Sequence, residues 1–186
     1  HYPIHLDIGS AKGEFLIELA INYPNWNFLG LDIREQLVSS SEKKRKQMGL
    51  ENLSFLYCNV NISLDEWLSD LDRDQLKRVS IQFPDPWFKR KHLKRRVLKK
   101  SLLSSIASAI SHNGELFIQS DILKLIEYMS SVIDDNIYFD RKVVKGLKYL
   151  EKNPYEVSTD RELFVLKQNL PIYRAMYIRN SKLFIS

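Results

Sequence analysis

The apolar positions of the chain form short runs typical of β-strands, and each run is followed by a stretch with the period of an amphipathic helix. This alternation predicts strands over residues 4–8, 27–31, 53–58, 79–83 and 116–119. It predicts helices over residues 14–23, 35–48, 97–110 and 122–133, and a short helix that begins at a capping box over residues 63–66. Repeated strand–helix units indicate an α/β fold in which parallel strands are joined by right-handed crossovers.

The last part of the chain departs from this alternation. Three further strands of antiparallel character are predicted over residues 143–149, 163–166 and 173–178, with a polar loop between the first two. A hydrophobic content of 44% over 186 residues is enough for one sizeable core, so we expect a single domain over residues 1–186. Because His1 stands almost directly before the first predicted strand, we expect a further segment upstream of it.

The fourth predicted strand leads into the sequence Gln-Phe-Pro-Asp-Pro-Trp, in which two prolines enclose Asp85. Each proline removes a backbone donor and fixes φ, so strand pairing ends there. Asp85 is therefore predicted at the carboxyl end of a strand, the edge at which open α/β sheets bind ligands. A rigid turn without a ligand is the alternative explanation.

Positive charge is concentrated directly after this turn. Eight of the twelve residues from 89 to 100 are Lys or Arg, and the rest of the chain has 20 bases (28 minus 8) against 23 acids. A local cationic patch beside a cleft suits a polyanionic substrate, whereas a solvated helix face is the alternative. No basic helix with a strong apolar face favours a membrane partner. The single cysteine, Cys58, excludes an internal disulfide and a cysteine-cluster metal site, and suits a reducing cytoplasm.

The first strand and the turn after it have features of a nucleoside-cofactor site. Gly9 permits a tight turn, Gly13 permits close backbone approach to a ligand, and Asp32, 19 residues after Gly13, is placed to accept hydrogen bonds from ribose hydroxyls. Asp7 would repel a pyrophosphate and suits a cation such as the amino group or sulfonium of S-adenosylmethionine. Asn59 suits an adenine edge. Each of these features also has a structural alternative. The glycines would then form a plain strand-to-helix turn, and Asp32 would be an exposed acid at a strand end. Asp7 would have its hydrogen-bond partners within the protein, and Asn59 would form a turn.

Three motifs together carry a resemblance to a known family. They are Leu-Asp-Ile-Gly-x-x-x-Gly from residue 6, Phe-Pro-Asp-Pro-Trp-Phe-Lys-x-Lys-His-x-Lys-Arg-Arg from residue 83, and Thr-Asp-Arg-Glu from residue 159. Over nearly the whole chain, the sequence resembles the bacterial tRNA (guanine-N7)-methyltransferase family. The resemblance implies a Rossmann-like class I S-adenosylmethionine-dependent methyltransferase fold, with a mostly parallel seven-stranded sheet, an antiparallel C-terminal strand and helices on both faces. It also implies methyl transfer to N7 of a guanosine in the variable loop of tRNA, which forms 7-methylguanosine.

Carried over residue by residue, the family's cofactor contacts fall on Asp7, Asp32, Asn59 and Asp85, and Asp85 is also the catalytic residue that the resemblance implies. The implied tRNA contacts are Lys89, Lys91, His92, Lys94, Arg95, Arg96, Asp121, Thr159, Asp160, Arg161 and Glu162. Within this set, we expect Glu162 to accept hydrogen bonds from the Watson–Crick edge of guanine, with Asp121 on the opposite side of the pocket. A simple turn with a surface ion pair is the alternative.

Four residues depart from the family pattern. Ala11 replaces a common glycine, and Ile122 replaces a usual tryptophan. Asp160 and Arg161 stand where the family usually has a less charged pair that ends in an aromatic residue. These departures concern fine positioning within the site.

The chemistry of guanine N7 matches the catalytic groups that the sequence offers. N7 carries a free lone pair, so its attack on a sulfonium methyl needs in-line placement and a nearby carboxylate rather than a base. The four histidines, His1, His5, His92 and His112, show no spacing typical of a metal or nucleophile set. We therefore expect S-adenosylmethionine as the cofactor, no metal, tRNA as the partner, a cytoplasmic location, and a monomer or homodimer.

Other functions remain open on the same fold. Methylation of an exocyclic amine uses related proline motifs, but the order Pro-Asp-Pro-Trp and the basic run do not match them. A non-catalytic RNA-binding module is a second alternative, against which the retained Asp7, Gly9, Gly13, Asp32 and Asp85 count. A nicotinamide-dependent oxidoreductase is a third, opposed by Asp7 and by the missing third glycine.

Overall fold

Seven strands form one mixed sheet in the computed structural model, which describes residues 2–69, 71–72, 74–144 and 146–184. Their bounds are β1 Ile4–Ile8, β2 Asn27–Asp32, β3 Leu53–Tyr57, β4 Leu76–Gln82, β5 Glu115–Ser120, β6 Phe139–Arg141 and β7 Tyr173–Arg179. The order across the sheet is β3-β2-β1-β4-β5-β7-β6. Strands β1 to β5 are parallel, and β7 is antiparallel to both β5 and β6. This arrangement confirms the predicted fold class.

Helices alternate with the parallel strands, as the sequence pattern predicted. Their bounds are α1 Glu14–Asn22, α2 Glu35–Gln47, α3 Val60–Ser69, α4 Lys100–Ala109, α5 Leu123–Asp134 and α6 Asp160–Lys167, and a 3₁₀ helix covers Arg90–Arg95. Helices α1 to α5 follow strands β1 to β5 in turn, and α6 lies between β6 and β7. The parallel half of the sheet is therefore built from strand–helix units, whereas the C-terminal part is not.

Successive residues of the central strands face opposite sides of the sheet, and both sides are covered. In β5, Leu116 and Ile118 belong to a core with α3, α4 and α5, whereas Phe117 belongs to a core with α1 and α2. Because the central strands are buried on both faces, their sequences are nearly continuous apolar runs. A polar residue within such a run is therefore informative about function.

Of the three strands predicted in the tail, only the last is confirmed. Residues 163–166 lie within α6, which Thr159 caps: its Oγ1 accepts a hydrogen bond from the backbone N of Glu162 at 3.1 Å. The described residues of the range 143–149 hold only an isolated bridge between Val144 and Leu147, and residue 145 lies outside the described residues. A four-residue apolar run does not distinguish a strand from one turn of a helix, which is why the prediction over residues 163–166 was wrong.

Three other boundaries differ from their predictions. Helix α3 begins at Val60, so Ser63 lies inside it and does not cap it. The side chain of Asn59 takes the capping position, where its Oδ1 accepts a hydrogen bond from the backbone N of Asn61 at 3.3 Å. The helix predicted from residue 97 begins at Lys100, after the 3₁₀ helix, and β4 begins three residues earlier than predicted, at Leu76. His1 lies outside the described residues.

Candidate active site

A cleft lies where the carboxyl ends of β1 to β4 meet, and its volume is about 1020 Å³. Each of these strands contributes an acidic or amide side chain near its end, namely Asp7, Asp32, Asn59 and Asp85. The other predicted site residues that line the cleft are Gly9, Gly13, Lys94, Arg95, Asp121, Thr159, Asp160 and Arg161. The predicted residues that do not line it are Lys89, Lys91, His92, Arg96 and Glu162. The cleft thus brings all the predicted cofactor residues together with part of the predicted tRNA-binding set.

The turn after β1 needs the backbone freedom of glycine. Gly9 and Gly13 have φ angles of +86° and +74°, in the left-handed region where other residues are strained. At Gly13 a Cβ atom would lie 2.4 Å from Cζ of Phe55, so there is no room for a side chain. Ala11, which replaces a common glycine of the family, also has a positive φ, +50°. The turn is therefore fixed both by its backbone angles and by the packing of Phe55 against it.

The carboxylate of Asp32 is buried and fully hydrogen-bonded. Its Oδ2 accepts from the backbone N of Ala11 at 2.9 Å and from Nη2 of Arg34 at 2.8 Å, and its Oδ1 accepts from N and Nε of Arg34, both at 2.9 Å. Burial raises the pKa of Asp32, but the hydrogen bonds from Arg34 and Ala11 outweigh it, and the pKa lies below its ordinary value. The Arg34 side chain is 57% exposed, so the ion pair is open to solvent on the Arg34 side. The pKa of Arg34 is raised by its hydrogen bonds to Asp32 and additionally by the charge of Asp85.

Asp7 is a buried carboxylate of the cleft that has no cationic partner among the described residues. Its Oδ1 accepts hydrogen bonds from Oγ of Ser80 at 2.5 Å and from Nε2 of Gln82 at 3.1 Å. Burial raises the pKa of Asp7, and the negative charge of Asp32 raises it further, whereas the two hydrogen bonds lower it. The resulting pKa is about 6. His5, on the same strand, is neutral because burial lowers its pKa to about 3. A positively charged ligand group at this end of the cleft would therefore compensate the charge of Asp7.

Asp85 lines the cleft with an exposed side chain and lies in a strained turn. Phe83 and Trp87, on either side of the Pro-Asp-Pro sequence, have φ angles of +47° and +40°. Such angles are outliers for bulky residues and cost roughly 1–3 kcal/mol each. The backbone N of Phe83 donates a hydrogen bond of 2.9 Å to the carbonyl O of Gln119, which ties the turn to β5. Strain of this kind concentrates at functional sites, which supports Asp85 as a functional residue.

The basic segment after this turn lies partly in the cleft. Lys94 and Arg95 line the cleft, whereas Lys89 and Lys91 are exposed outside it. Within the described part of the chain, none of these four cations forms an ion pair with an acid. Their charge is therefore available to an anion.

Two aromatic side chains order this segment. Cζ of Arg95 lies 5.1 Å from the ring centroid of Trp87, and the ring centroid of His92 lies 5.5 Å from the same ring. Cζ of Arg96 lies 4.1 Å from the ring centroid of Tyr128 on α5, and its side chain is half-buried there. Arg96 therefore contacts the protein itself, and its predicted contact with tRNA stays a prediction.

Glu162 is buried away from the cleft, which corrects its predicted contact with guanine. The side chain is 1% exposed, and Oε1 accepts from Nε and Nη2 of Arg174 at 3.2 and 2.6 Å. Oε2 accepts from Nδ2 of Asn153 at 2.8 Å and from Nε2 of Gln119 at 3.1 Å. With four donors already bound, the carboxylate has no capacity left for the edge of a base.

Asp121 is also engaged with the protein, although it lines the cleft. Its Oδ2 accepts from Nη2 of Arg161 at 2.5 Å, and this ion pair joins the end of β5 to the first turn of α6. Arg161 is half exposed, and Asp160 is exposed beside it. Asp160 and Arg161 thus line the cleft, and Arg161 holds the aspartate that was predicted to face the guanine.

Four residues of this site were missed by sequence reasoning. Ser80, Gln82 and Gln119 are buried polar residues within otherwise apolar strands, and that contrast was a usable signal. Arg34 was missed because nothing in the sequence distinguishes it from other surface arginines. The role of Arg34 becomes evident only from the structure, in which its Nε and Nη2 donate hydrogen bonds to the two carboxylate oxygens of Asp32.

Comparison with known proteins identifies the family. A family model described as "Putative methyltransferase" matches residues 1–175. A tRNA (guanine-N(7)-)-methyltransferase of Prochlorococcus marinus strain NATL1A is 72% identical over 184 residues, which are 99% of this chain and 86% of that protein. This chain belongs to the tRNA (guanine-N(7)-)-methyltransferase family. The family predicted from the sequence motifs is therefore confirmed, and so is S-adenosylmethionine as its cofactor.

Solved methyltransferase structures share the fold of this chain, although their sequences are less than 20% identical to it. The 16S rRNA methyltransferase KamB matches with a TM-score of 0.64 and 15% identity, over 97% of this chain and 89% of that protein. A putative methyltransferase from Streptococcus mutans, solved in complex with SAH, matches with a TM-score of 0.56 and 11% identity, over 95% of this chain and 88% of that protein. Both likenesses concern the methyltransferase fold.

The cleft fits the cofactor of the family. Asp7 offers a buried carboxylate to a cationic group, and the turn from Gly9 to Gly13 admits close approach of a ligand. Among the described residues, no group of three or more His, Cys, Asp or Glu side chains could hold a metal ion. In the same part of the chain, no helix has the length and apolar character needed to cross a membrane.

Proposed function

We propose that this chain transfers the methyl group of S-adenosylmethionine to N7 of a guanosine in the variable loop of tRNA, forming 7-methylguanosine. One observation carries the proposal: a single cleft joins the buried carboxylate of Asp7, the exposed carboxylate of Asp85 and the cations Lys94 and Arg95. Asp7 can hold a cationic group of the cofactor, and Asp85 can face a substrate base. Lys94 and Arg95 can hold phosphate. The name of the Prochlorococcus marinus relative supports the choice of tRNA and of N7.

Three residues at the strand ends would hold the cofactor. Asp7 would bind its amino group, because the carboxylate has no other cationic partner among the described residues. Asp32 would accept hydrogen bonds from the ribose hydroxyls after Arg34 moves aside, and Asn59 would bind the adenine edge. When bound, the cofactor supplies a methyl group on a positively charged sulfur.

Asp85 would act on the guanine. The cofactor would supply an electron-poor methyl carbon, to which the lone pair of N7 would bond without the help of a base, with the sulfur as the leaving group. The purine becomes positive in this step, and the fixed negative charge of Asp85 stabilises it. The prolines on both sides of Asp85 restrict the turn, so little reorganisation is needed when the charge develops.

The basic segment would bind the tRNA backbone. Lys94 and Arg95 within the cleft, and Lys89 and Lys91 outside it, offer charges that have no acidic partner among the described residues. Contacts of this kind neutralise phosphates without reading sequence. Asp160 and the half-exposed Arg161 would contact the substrate from the opposite wall.

The whole chain would act as one unit. We propose that residues 1–186 form one domain, because all seven strands belong to one sheet. A cytoplasmic location fits a tRNA substrate and a single, buried Cys58. We expect a monomer or a homodimer, and sedimentation equilibrium distinguishes the two.

Methylation of defined tRNA tests the proposal. The protein is incubated with labelled S-adenosylmethionine and unmodified tRNA, and the RNA is then cleaved chemically at 7-methylguanosine. One cleavage in the variable loop is expected, and Asp85→Asn should abolish it while the exposed control Asp65→Asn retains it. A nucleoside methylated on an exocyclic amine would assign the related amine chemistry instead. Cofactor binding without transfer to any tRNA would indicate a non-catalytic module.

A further inference from the structure

A row of buried polar side chains crosses the sheet from the cofactor side of the cleft towards α6. Asp7 is the register partner of Ser80, Gln82 is that of Gln119, and Gln119 is that of Arg174. Each of these five residues is at most 8% exposed. Buried polar groups in apolar strands destabilise the fold unless they are paired, so their pairing pattern indicates what they do.

The donor and the acceptor of each hydrogen bond along the row are determined by the two carboxylates at its ends, which can only accept. Nε2 of Gln82 donates to the carboxylate of Asp7 at 3.1 Å, so the carbonyl of Gln82 points the other way. Nε2 of Gln119 donates both to that carbonyl at 2.8 Å and to Oε2 of Glu162 at 3.1 Å. Oε1 of Gln119 has no hydrogen-bond partner among the described residues. Gln119 therefore acts only as a donor, and it serves two acceptors at once.

The two ends of the row belong to different walls of the cleft. Asp7 is at the cofactor end. Glu162 lies in the first turn of α6, directly after residues 159–161, which line the cleft on the side proposed for tRNA. Arg174 fixes Glu162 from the other side, with Nη2 at 2.6 Å from Oε1. Gln119 thus stands between the two walls and touches neither ligand position, since it does not line the cleft.

We infer that Gln119 is a positioning residue that holds both walls in register, through Gln82 for the Asp7 side and through Glu162 for the α6 side. The inference rests on the proposed function for the identity of the two ligands. Loss of its two donor bonds frees the Gln82 amide to turn away from Asp7 and leaves Oε2 of Glu162 with one donor fewer. Both binding sites then lose order, although neither loses a contact with its ligand.

The test compares two substitutions of Gln119 in the full-length protein. Gln119→Met keeps the size of the side chain and removes both donor bonds. Gln119→Lys keeps donors at the end of a long side chain, so it can serve the same two acceptors. Phe117→Leu is the matched control, because Phe117 is two residues earlier on the same strand and face, is fully buried, and lies outside the row. Calorimetry with S-adenosylmethionine and filter binding with unmodified tRNA measure the two affinities, and thermal unfolding measures stability.

Gln119→Met should weaken both affinities by at least about fivefold, and Gln119→Lys should keep both within about twofold of the wild type. Phe117→Leu should lower the unfolding temperature while both affinities stay unchanged. The inference is overturned if Gln119→Met weakens neither ligand more than Phe117→Leu does, or if only one ligand is affected. If Gln119→Met does not fold, a loss of both affinities in Gln119→Lys overturns it. A further outcome is that the wild type binds both ligands, and the variants change the affinities as expected, while no tRNA is methylated. That outcome would refute the proposed function and leave the positioning role of Gln119 standing.

Discussion

Replacing Asp7 with asparagine should stabilise the protein and weaken cofactor binding at the same time. Ser80 and Gln82 both donate to the same atom, Oδ1 of Asp7. An asparagine that places its oxygen there keeps both hydrogen bonds, and its amide nitrogen takes the position of Oδ2. The substitution thus removes a buried negative charge with little change in shape.

The size of the effect follows from the pKa of Asp7, which is about 6 in the folded chain and 3.8 in its ordinary state. As the pH rises from about 4 to about 6, the unfolded chain loses this proton before the folded chain does, so the free energy of unfolding falls. A difference of roughly two pKa units corresponds to about 3 kcal/mol, and the full loss is present above about pH 6. Asp7→Asn has no such loss, so it should equal the wild type near pH 4 and exceed it by about 3 kcal/mol at neutral pH.

Urea unfolding of both proteins from about pH 4 to about pH 7.5 measures this difference directly. The exposed Asp65→Asn on α3 is the control for the loss of one negative charge. Calorimetry at neutral pH should show that Asp7→Asn binds S-adenosylmethionine at least about tenfold more weakly, because the cation loses its carboxylate. A stability difference that stays constant across the pH range would refute the assignment of a raised pKa to Asp7.

Other substitutions test the glycine turn, the basic segment and the buried ion pair. Gly13→Ala should lower the unfolding temperature more than Gly49→Ala, since both have positive φ but only Gly13 would meet Phe55, at 2.4 Å; equal losses would contradict this packing. Replacing Lys91, Lys94 and Arg95 together with alanine should weaken the binding of all tRNAs and reduce the slope of log K for tRNA binding against log salt concentration by about three units. An unchanged slope in filter binding would show that these side chains are only a solvated surface. Glu162→Gln should lower the free energy of unfolding by about 3–5 kcal/mol, because the buried guanidinium of Arg174 loses its negatively charged partner. A loss below about 1 kcal/mol in urea unfolding would show that this ion pair contributes little to stability.

The parallel half of the fold and the cofactor side of the cleft could be predicted from the sequence because their signals are local. Each of β1 to β4 is a largely apolar run with a polar residue at or near its end, and the prolines mark the end of β4. Parallel strands bring their carboxyl ends to one edge, so Asp7, Asp32, Asn59 and Asp85 were placed together without any knowledge of the contacts. The alternation of strands with helices settled the direction of the strands.

The C-terminal part could not be predicted in the same way. The apolar run from 163 to 166 is too short to show its period, and its helical state depends on the cap at Thr159. The burial of Glu162 depends on Arg174 in β7 and on Gln119 in β5, so it requires the strand register. A motif shared with a family indicates that a residue matters, but not whether it touches the substrate or holds the wall beside it.

The reversed direction of β7 gives the C-terminal part of the chain a separate evolutionary freedom. Because β7 is antiparallel to β5, it begins at the edge of the sheet that carries the cleft, with Tyr173 opposite Ser120. The chain between β6 and β7, residues 142–172, therefore rejoins the sheet at that edge and includes α6. Exchanges at the exposed positions of this segment, such as Asp160 and Arg161, can change the substrate wall while the buried Glu162 keeps its bonds to Gln119 and Arg174. Part of the change that a new RNA target requires would accordingly fall within one continuous stretch of gene.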